Sequence, residues 1–153
     1  MNLQSNPYKL TKRIAISQSN YIPWKGYFDN IALVDEFVLY DDMQYTKRDW
    51  RNRNKIKTPN GLKWLTIPVE VKGKYFQKIK DTKVSELGWS ETHLETLKHN
   101  YSKSPHYKEI MPFIEELYTN VKSLNTISEI NAFLIKEICK FLGISTKISF
   151  SSK

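Results

Sequence analysis

Residues 13–42 read RIAISQSNYIPWKGYFDNIALVDEFVLYDD, and the patterning of this run sets the topology. Arg13 to Ser17 is short and apolar and predicts a buried strand. Gln18-Ser19-Asn20-Tyr21 is a polar loop. Pro23 suits the first turn of a helix, where its missing N–H costs nothing, and Trp24, Tyr27, Phe28, Ile31 and Ala32 then recur at helical spacing. Glu36 to Tyr40 is a second apolar strand that ends in Asp41-Asp42. Strand, loop, helix and strand in this order is the layout of a parallel βαβ unit. The predicted class is therefore α/β with a Rossmann-like N-terminal unit. The loop has no glycine run, so it carries neither a P-loop nor a dinucleotide fingerprint.

Downstream, Asn60-Gly61 stands between Arg53-Asn54-Lys55-Ile56 and Trp64-Leu65-Thr66-Ile67, a hairpin signal inserted after the βαβ unit. A weaker strand is expected around Gln77 to Ile79. The rest reads as helical, with Ser90, Ser104-Pro105 and Ser128 as helix starts. Ile130, Phe133, Leu134 and Ile138 form an apolar stripe on the last helix, Gly143 stops it, and Ile144 to Phe150 is a closing strand. Upstream, residues 1–11 form a flexible lead-in. Residues 12–153 make one domain, with no internal repeat. With only three residues after that strand, either Ile148 and Phe150 pair inside this domain or the chain is a shortened form of something longer.

The chain has 153 residues, 40% hydrophobic and 13% aromatic, enough for a core and against disorder throughout. Twenty-four Lys and Arg against sixteen Asp and Glu give a net charge of +8, which favours an anionic partner. One cysteine, Cys139, excludes an internal disulfide and a cysteine-based zinc cluster; its apolar surroundings predict a buried structural thiol. No run approaches the ~20 apolar residues of a membrane span, and the start lacks a signal-peptide core, so the expected compartment is the cytoplasm. Nothing in the sequence sets an oligomeric state.

Three places are suited to chemistry. Gln18 and Asn20 lie in the loop after the first strand, at the strand end where open α/β sheets bind ligands, and their amides supply directed hydrogen bonds. Asp41 and Asp42 end the second strand, where a carboxylate can hold Mg²⁺, accept a proton or bind an amine; adjacent residues point to opposite faces, so at most one of the two faces a given site unless the strand has already ended. The richest segment is Gln44 to Lys55. Lys47, Arg48, Arg51, Arg53 and Lys55 face a single acid, Asp49, and arginine forks suit phosphate and carboxylate. Tyr45 and Trp50 can stack on a ring, and Asn52 and Asn54 add amides. If the segment is extended, Arg51, Arg53 and Lys55 share one face and the two asparagines the other. The bland alternatives are turn-fixing amides, acids paired with nearby lysines, and a solvated basic strand.

Ser17-Gln18-Ser19-Asn20-Tyr21-Ile22-Pro23-Trp24-Lys25-Gly26-Tyr27-Phe28-Asp29, the run from Asp41 to Ile56, Lys57-Thr58-Pro59-Asn60-Gly61 and Trp64 to Val69 together resemble the WbqC-like family. Trp89, His93, Tyr101 and Pro105 resemble its later markers. The resemblance implies a role in O-antigen or other surface-polysaccharide biosynthesis, with transfer of glycine or another acyl group onto a sugar. It also implies a nucleotide, nucleotide sugar or other activated donor gripped by the basic segment, and an amine oriented by Asp41 or Asp42. Many members carry His-Gln-Pro-Asn where this chain has Ser17-Gln18-Ser19-Asn20, and members are usually longer. Two other readings compete: a non-catalytic module for nucleic acid or another polyanion, which the acids beside the basic residues make less favourable, and a truncated inactive remnant.

Overall fold

A computed structural model describes residues 11–152. The expected lead-in over residues 1–11 lies outside these except for Thr11. In chain order the elements are β1 (Ile14–Ser17), α1 (Lys25–Ala32), β2 (Glu36–Leu39), β3 (Arg53–Thr58), β4 (Gly61–Thr66), α2 (Trp89–Tyr101), α3 (Tyr107–Asn120), α4 (Ile127–Phe141) and β5 (Lys147–Phe150), with short 3-10 turns at Ile79–Asp81 and Val121–Ser123. The α/β class holds.

β1, β2 and β5 form a parallel sheet with β2 in the middle, Phe37 lying between Ala15 and Ile148. The closing strand thus pairs inside the domain. α1 and α4 cover one face only. Tyr27, Phe28 and Ile31 of α1 pack with Ala132, Ile135 and Cys139 of α4 onto Ala15, Phe37, Leu39, Ile148 and Phe150. Cys139 is buried, and burial pushes its thiol up to about 11. The first strand departs from expectation. Its isoleucines Ile14 and Ile16 sit on the face of an edge strand that is uncovered among the described residues, and are 52% and 64% exposed. On that open face Glu36 is ringed by Lys12, Lys147 and Ser149.

β3 and β4 form the hairpin. Thr58 pairs with Gly61 around a Pro59-Asn60 turn, and Gly61 takes φ +103°. The turn is therefore one residue ahead of Asn60-Gly61, with glycine supplying the left-handed exit. The hairpin's inner residues Ile56 and Leu65 join Ile67, Ile79, Trp89, Leu117, Tyr118, Ile127, Ile130 and Leu134 in a second core. α4 is apolar on two stripes and so joins both cores.

Several boundaries differ from the sequence expectation. Pro23 lies two residues before α1. Ser90 is inside α2, behind Gly88 at its N-cap. α3 starts at Tyr107, beyond Ser104-Pro105. The start of α4 is capped by Thr126, not Ser128: Thr126 Oγ1 accepts from the Glu129 N–H while Glu129 accepts from the Thr126 N–H, a reciprocal box that fills two unpaired donors. The strand expected near Gln77 is reduced to one bridge, Gln44 with Lys78.

Candidate substrate-binding site

The loop leaving β1 crosses the C-terminal end of the sheet and is anchored from below. Asp41, buried just beyond β2, accepts from the Ser19 N–H at 2.8 Å, from the Ser19 hydroxyl at 2.7 Å and from the Ser128 hydroxyl. Asn131, fully buried on α4, donates to Ser19 Oγ at 3.1 Å and to the Arg51 carbonyl at 2.8 Å, while its Oδ1 has no partner among the described residues. The phenol of Tyr27 donates to the Gln18 carbonyl at 2.9 Å; burial first, then the nearby Asp41 charge, hold it well above its ordinary pKa.

Arg51 closes the loop from above. Its guanidinium donates to Gln18 Oε1 and Asn20 Oδ1 and lies 3.6 Å from Asp49. A guanidinium only donates, so it turns both amide oxygens toward itself. Partial burial works against ionisation of Asp49, yet the Trp50 N–H, the Thr46 hydroxyl and the neighbouring arginines keep its pKa below the usual carboxylate value.

Beside Asn20 lies a cleft of about 230 Å³ lined by Asn20, Pro23, Trp24, Trp50 and Asn54. It falls below the ~300 Å³ at which drug-sized sites begin, so it suits a single ring. Trp24 is 69% exposed and Trp50 is 47% exposed. The ring of Trp24 lies over Gly26, where a Cβ would come within 1.9 Å of it; only glycine permits this placement. Trp50 packs on Trp64 at 5.4 Å. The loop is strained, since Ile22 has φ 40°, a rare conformation for a β-branched residue. Asn54 holds it by donating to the carbonyls of Tyr21 and Ile22.

The other expected site residues separate. Asp42 pairs with Lys80 at 2.7 Å and with Lys78, and the Lys80 bond followed by that of Ser151 lowers its pKa to about 2. Two adjacent acids thus part, one into a buried loop anchor and one into a surface ion network. Asn52 is buried and donates to the Ile67 carbonyl, so it joins hairpin to core. Arg51 precedes β3 and does not share the strand face with Arg53 and Lys55. Arg53 lies 4.0 Å over the Trp64 ring and donates to the Arg48 carbonyl, and Lys55 lies 4.8 Å from the same ring. Arg48 is left-handed at φ 60°, and Lys47 is exposed. Tyr45 is buried, and that burial raises its pKa.

One element has no local sequence signal. Next to the loop, the Tyr21 hydroxyl meets His93 Nδ1 at 2.8 Å and the Tyr118 hydroxyl, and His93 Nε2 meets the Thr66 carbonyl at 3.2 Å. A carbonyl only accepts, so Nε2 carries the proton and neutral Nδ1 accepts from Tyr21. Burial pulls the His93 pKa down to about 4. Trp89 packs against the His93 ring at 5.3 Å.

Comparison with known proteins matches residues 18–153 to the model of the WbqC-like protein family. Over 140 residues the chain is 52% identical to the uncharacterized protein Rv1507c of Mycobacterium tuberculosis (strain ATCC 25618 / H37Rv), covering 92% of this chain and 60% of the relative. The chain therefore spans about three fifths of the length of the curated relative it matches. No solved structure matches.

Proposed function

The chain belongs to the WbqC-like protein family, and from this premise we propose that it works in bacterial surface-polysaccharide synthesis, transferring glycine or another acyl group onto a sugar. The observation that carries the proposal is the cleft between Trp24 and Trp50 with the Asn20 amide at its edge. Indole faces stack on the apolar face of a sugar ring, and an oriented amide donor meets a hydroxyl or carbonyl oxygen. In the reaction an amine or hydroxyl of the sugar attacks the carbonyl of the activated acyl group. The bond to the activating group breaks, that group leaves with the bonding electrons, and the nucleophile's proton passes to it. Gln18 and Asn20 serve as donors to the carbonyl oxygen as charge gathers there. Arg51 is a positioning residue that holds those amides, and Asp41 is one that anchors their loop through Ser19. The sugar, carried as a nucleotide sugar, and the activated acyl donor are both anionic and are drawn by Lys47, Arg48 and Arg53.

The test is titration with a panel of nucleotide sugars, followed by tryptophan fluorescence and thermal stability. Saturable quenching is expected, with a gain of about 2.7 kcal/mol at a hundredfold excess over Kd, both lost in Trp50→Ala. Absence of saturable binding by every sugar would overturn the proposal.

A second reading, a non-catalytic polyanion binder, is favoured by the outer face of the hairpin. The register places Arg53, Lys55 and Lys57 in a row there beside Trp64 and Leu62, with no acid among them. Such binding falls steeply with salt and tolerates many sequences. Gel shift of single-stranded nucleic acid, lost in Lys55→Gln/Lys57→Gln, would support it over the transferase.

A further inference from the structure

After β4 the chain makes a loop that the sugar cleft does not use. Tyr75 and Phe76 stand at its tip, 74% and 84% exposed, with rings packed edge to face at 4.9 Å. Isolated apolar side chains on a surface are ordinary. Two adjacent aromatics held in mutual contact, both turned outward, present a patch. Between residues 70 and 83 they are flanked by Lys72, Lys74, Lys78, Lys80 and Lys83 against Glu70 and Asp81.

The loop is built to hold that patch out. Lys74 N–H bonds the Val71 carbonyl and Gln77 N–H bonds the Lys74 carbonyl, which makes two successive turns, the first through Gly73 at φ 73°. The Gln44 amide donates to the Tyr75 carbonyl at 2.7 Å, and the Gln77 amide donates to the Glu70 carbonyl at 2.7 Å. Lys74 is paired with Glu70, and Lys78 and Lys80 with Asp42. The bridge from Gln44 to Lys78 ties the loop to the segment that continues through Lys47 and Arg48 to Trp50.

We propose that this loop docks the protein on an anionic lipid bilayer, with Tyr75 and Phe76 seated at the headgroup boundary and the flanking lysines over acidic headgroups. Aromatic rings favour that boundary. Basic residues near it are drawn by anionic lipid within a Debye length. A preformed loop loses little conformational freedom on docking. Nucleic acid is disfavoured because the rings contact each other at right angles, which leaves no parallel pair of faces to receive successive bases. The inference stands independently of the proposed acyl transfer.

The test is cosedimentation of the full chain with vesicles of phosphatidylcholine alone, or of phosphatidylcholine and phosphatidylglycerol in equal parts. Wild type should pellet with the phosphatidylglycerol vesicles and be released by high salt. Tyr75→Ser/Phe76→Ser should bind at least about tenfold more weakly, with an unchanged thermal midpoint, since neither ring is in the core. Lys72→Gln/Lys83→Gln should weaken binding and flatten its salt dependence while keeping both rings. Failure to bind phosphatidylglycerol vesicles, or binding that the ring variant leaves intact, would overturn the proposal. So would a gel shift with nucleic acid that disappears in the ring variant.

Discussion

The guanidinium of Arg51 donates to the side-chain oxygen of Gln18, joining the strap before the hairpin to the loop that leaves the first strand. The same group holds Asn20. One residue thus sets the direction of the Gln18 amide and of the Asn20 amide that borders the cleft.

Replacing that fork should therefore cost both fold and binding. Arg51→Lys retains the charge but cannot donate to two amide oxygens in one plane. A stability loss of about 2 kcal/mol is expected from the weakened charge-assisted bonds. Sugar affinity should fall further than in Lys47→Gln, because Asn20 is freed to rotate. Denaturant unfolding and fluorescence titration measure the two effects separately.

Asp41 accepts from three donors that approach both of its oxygens. Asp41→Asn removes the charge and one acceptor oxygen, so the buried Ser19 and Ser128 hydroxyls lose the acceptor they share. A loss of about 3 kcal/mol is expected, whereas Asp42→Asn, on the surface, should cost little. Equal and small losses for the two variants would show that the loop is anchored elsewhere.

Gly26→Ala should act on the cleft without disturbing the core. The added methyl collides with the ring of Trp24, and an exposed ring can swing away cheaply. Sugar binding should weaken roughly tenfold, consistent with the loss of one stacking face, while the melting temperature barely moves. Unchanged binding in this variant would remove Trp24 from the site.

His93 gives the fold an acid limit. Its pKa is lowered to about 4 by burial, below the ordinary ~6.5. The unfolded chain therefore binds more protons, and stability is full above about pH 6.5 and lost as pH falls toward 4. Protonation also puts a hydrogen on Nδ1, which reverses its bond with the Tyr21 hydroxyl. The contribution reaches about 3 kcal/mol. Unfolding free energy measured from pH 7 to 4 should fall in wild type and flatten over that window in His93→Gln.

The parallel unit was legible because its residues carry their own periodicity: Tyr27, Phe28 and Ile31 at helical spacing, and Phe37 and Leu39 alternating. The cap of α4 is misread at Ser128, although Thr126-Ile127-Ser128-Glu129 has the spacing of a capping box. Asn52 and Asn54 were legible as hydrogen-bonding amides but not as internal clamps, because their partners Ile67, Tyr21 and Ile22 lie 15 to 33 residues away. Arg51 was grouped with Arg53 by alternation, yet β3 begins at Arg53 and alternation does not extend beyond a strand's end. The Tyr21, His93 and Tyr118 network spans separations of 72 and 97 residues, and no local pattern reports such a meeting. Exposure of Ile14 and Ile16 was hidden for a similar reason: composition marks a strand as apolar, but only the assembled sheet reveals which face is covered.

The pairing of Glu36 with Lys147 across the sheet has a kinetic meaning. The middle strand acquires its second neighbour from the far end of the chain, after the hairpin and three helices have intervened. Closing so long a loop carries its entropic cost before any ladder bond is made. During that interval Phe37 and Leu39 have β1 on one side and an open row of backbone donors and acceptors on the other. The order of assembly therefore leaves β2 as the segment through which a partly folded chain would recruit a neighbour, and refolding yield should decline with protein concentration more steeply than native stability alone implies.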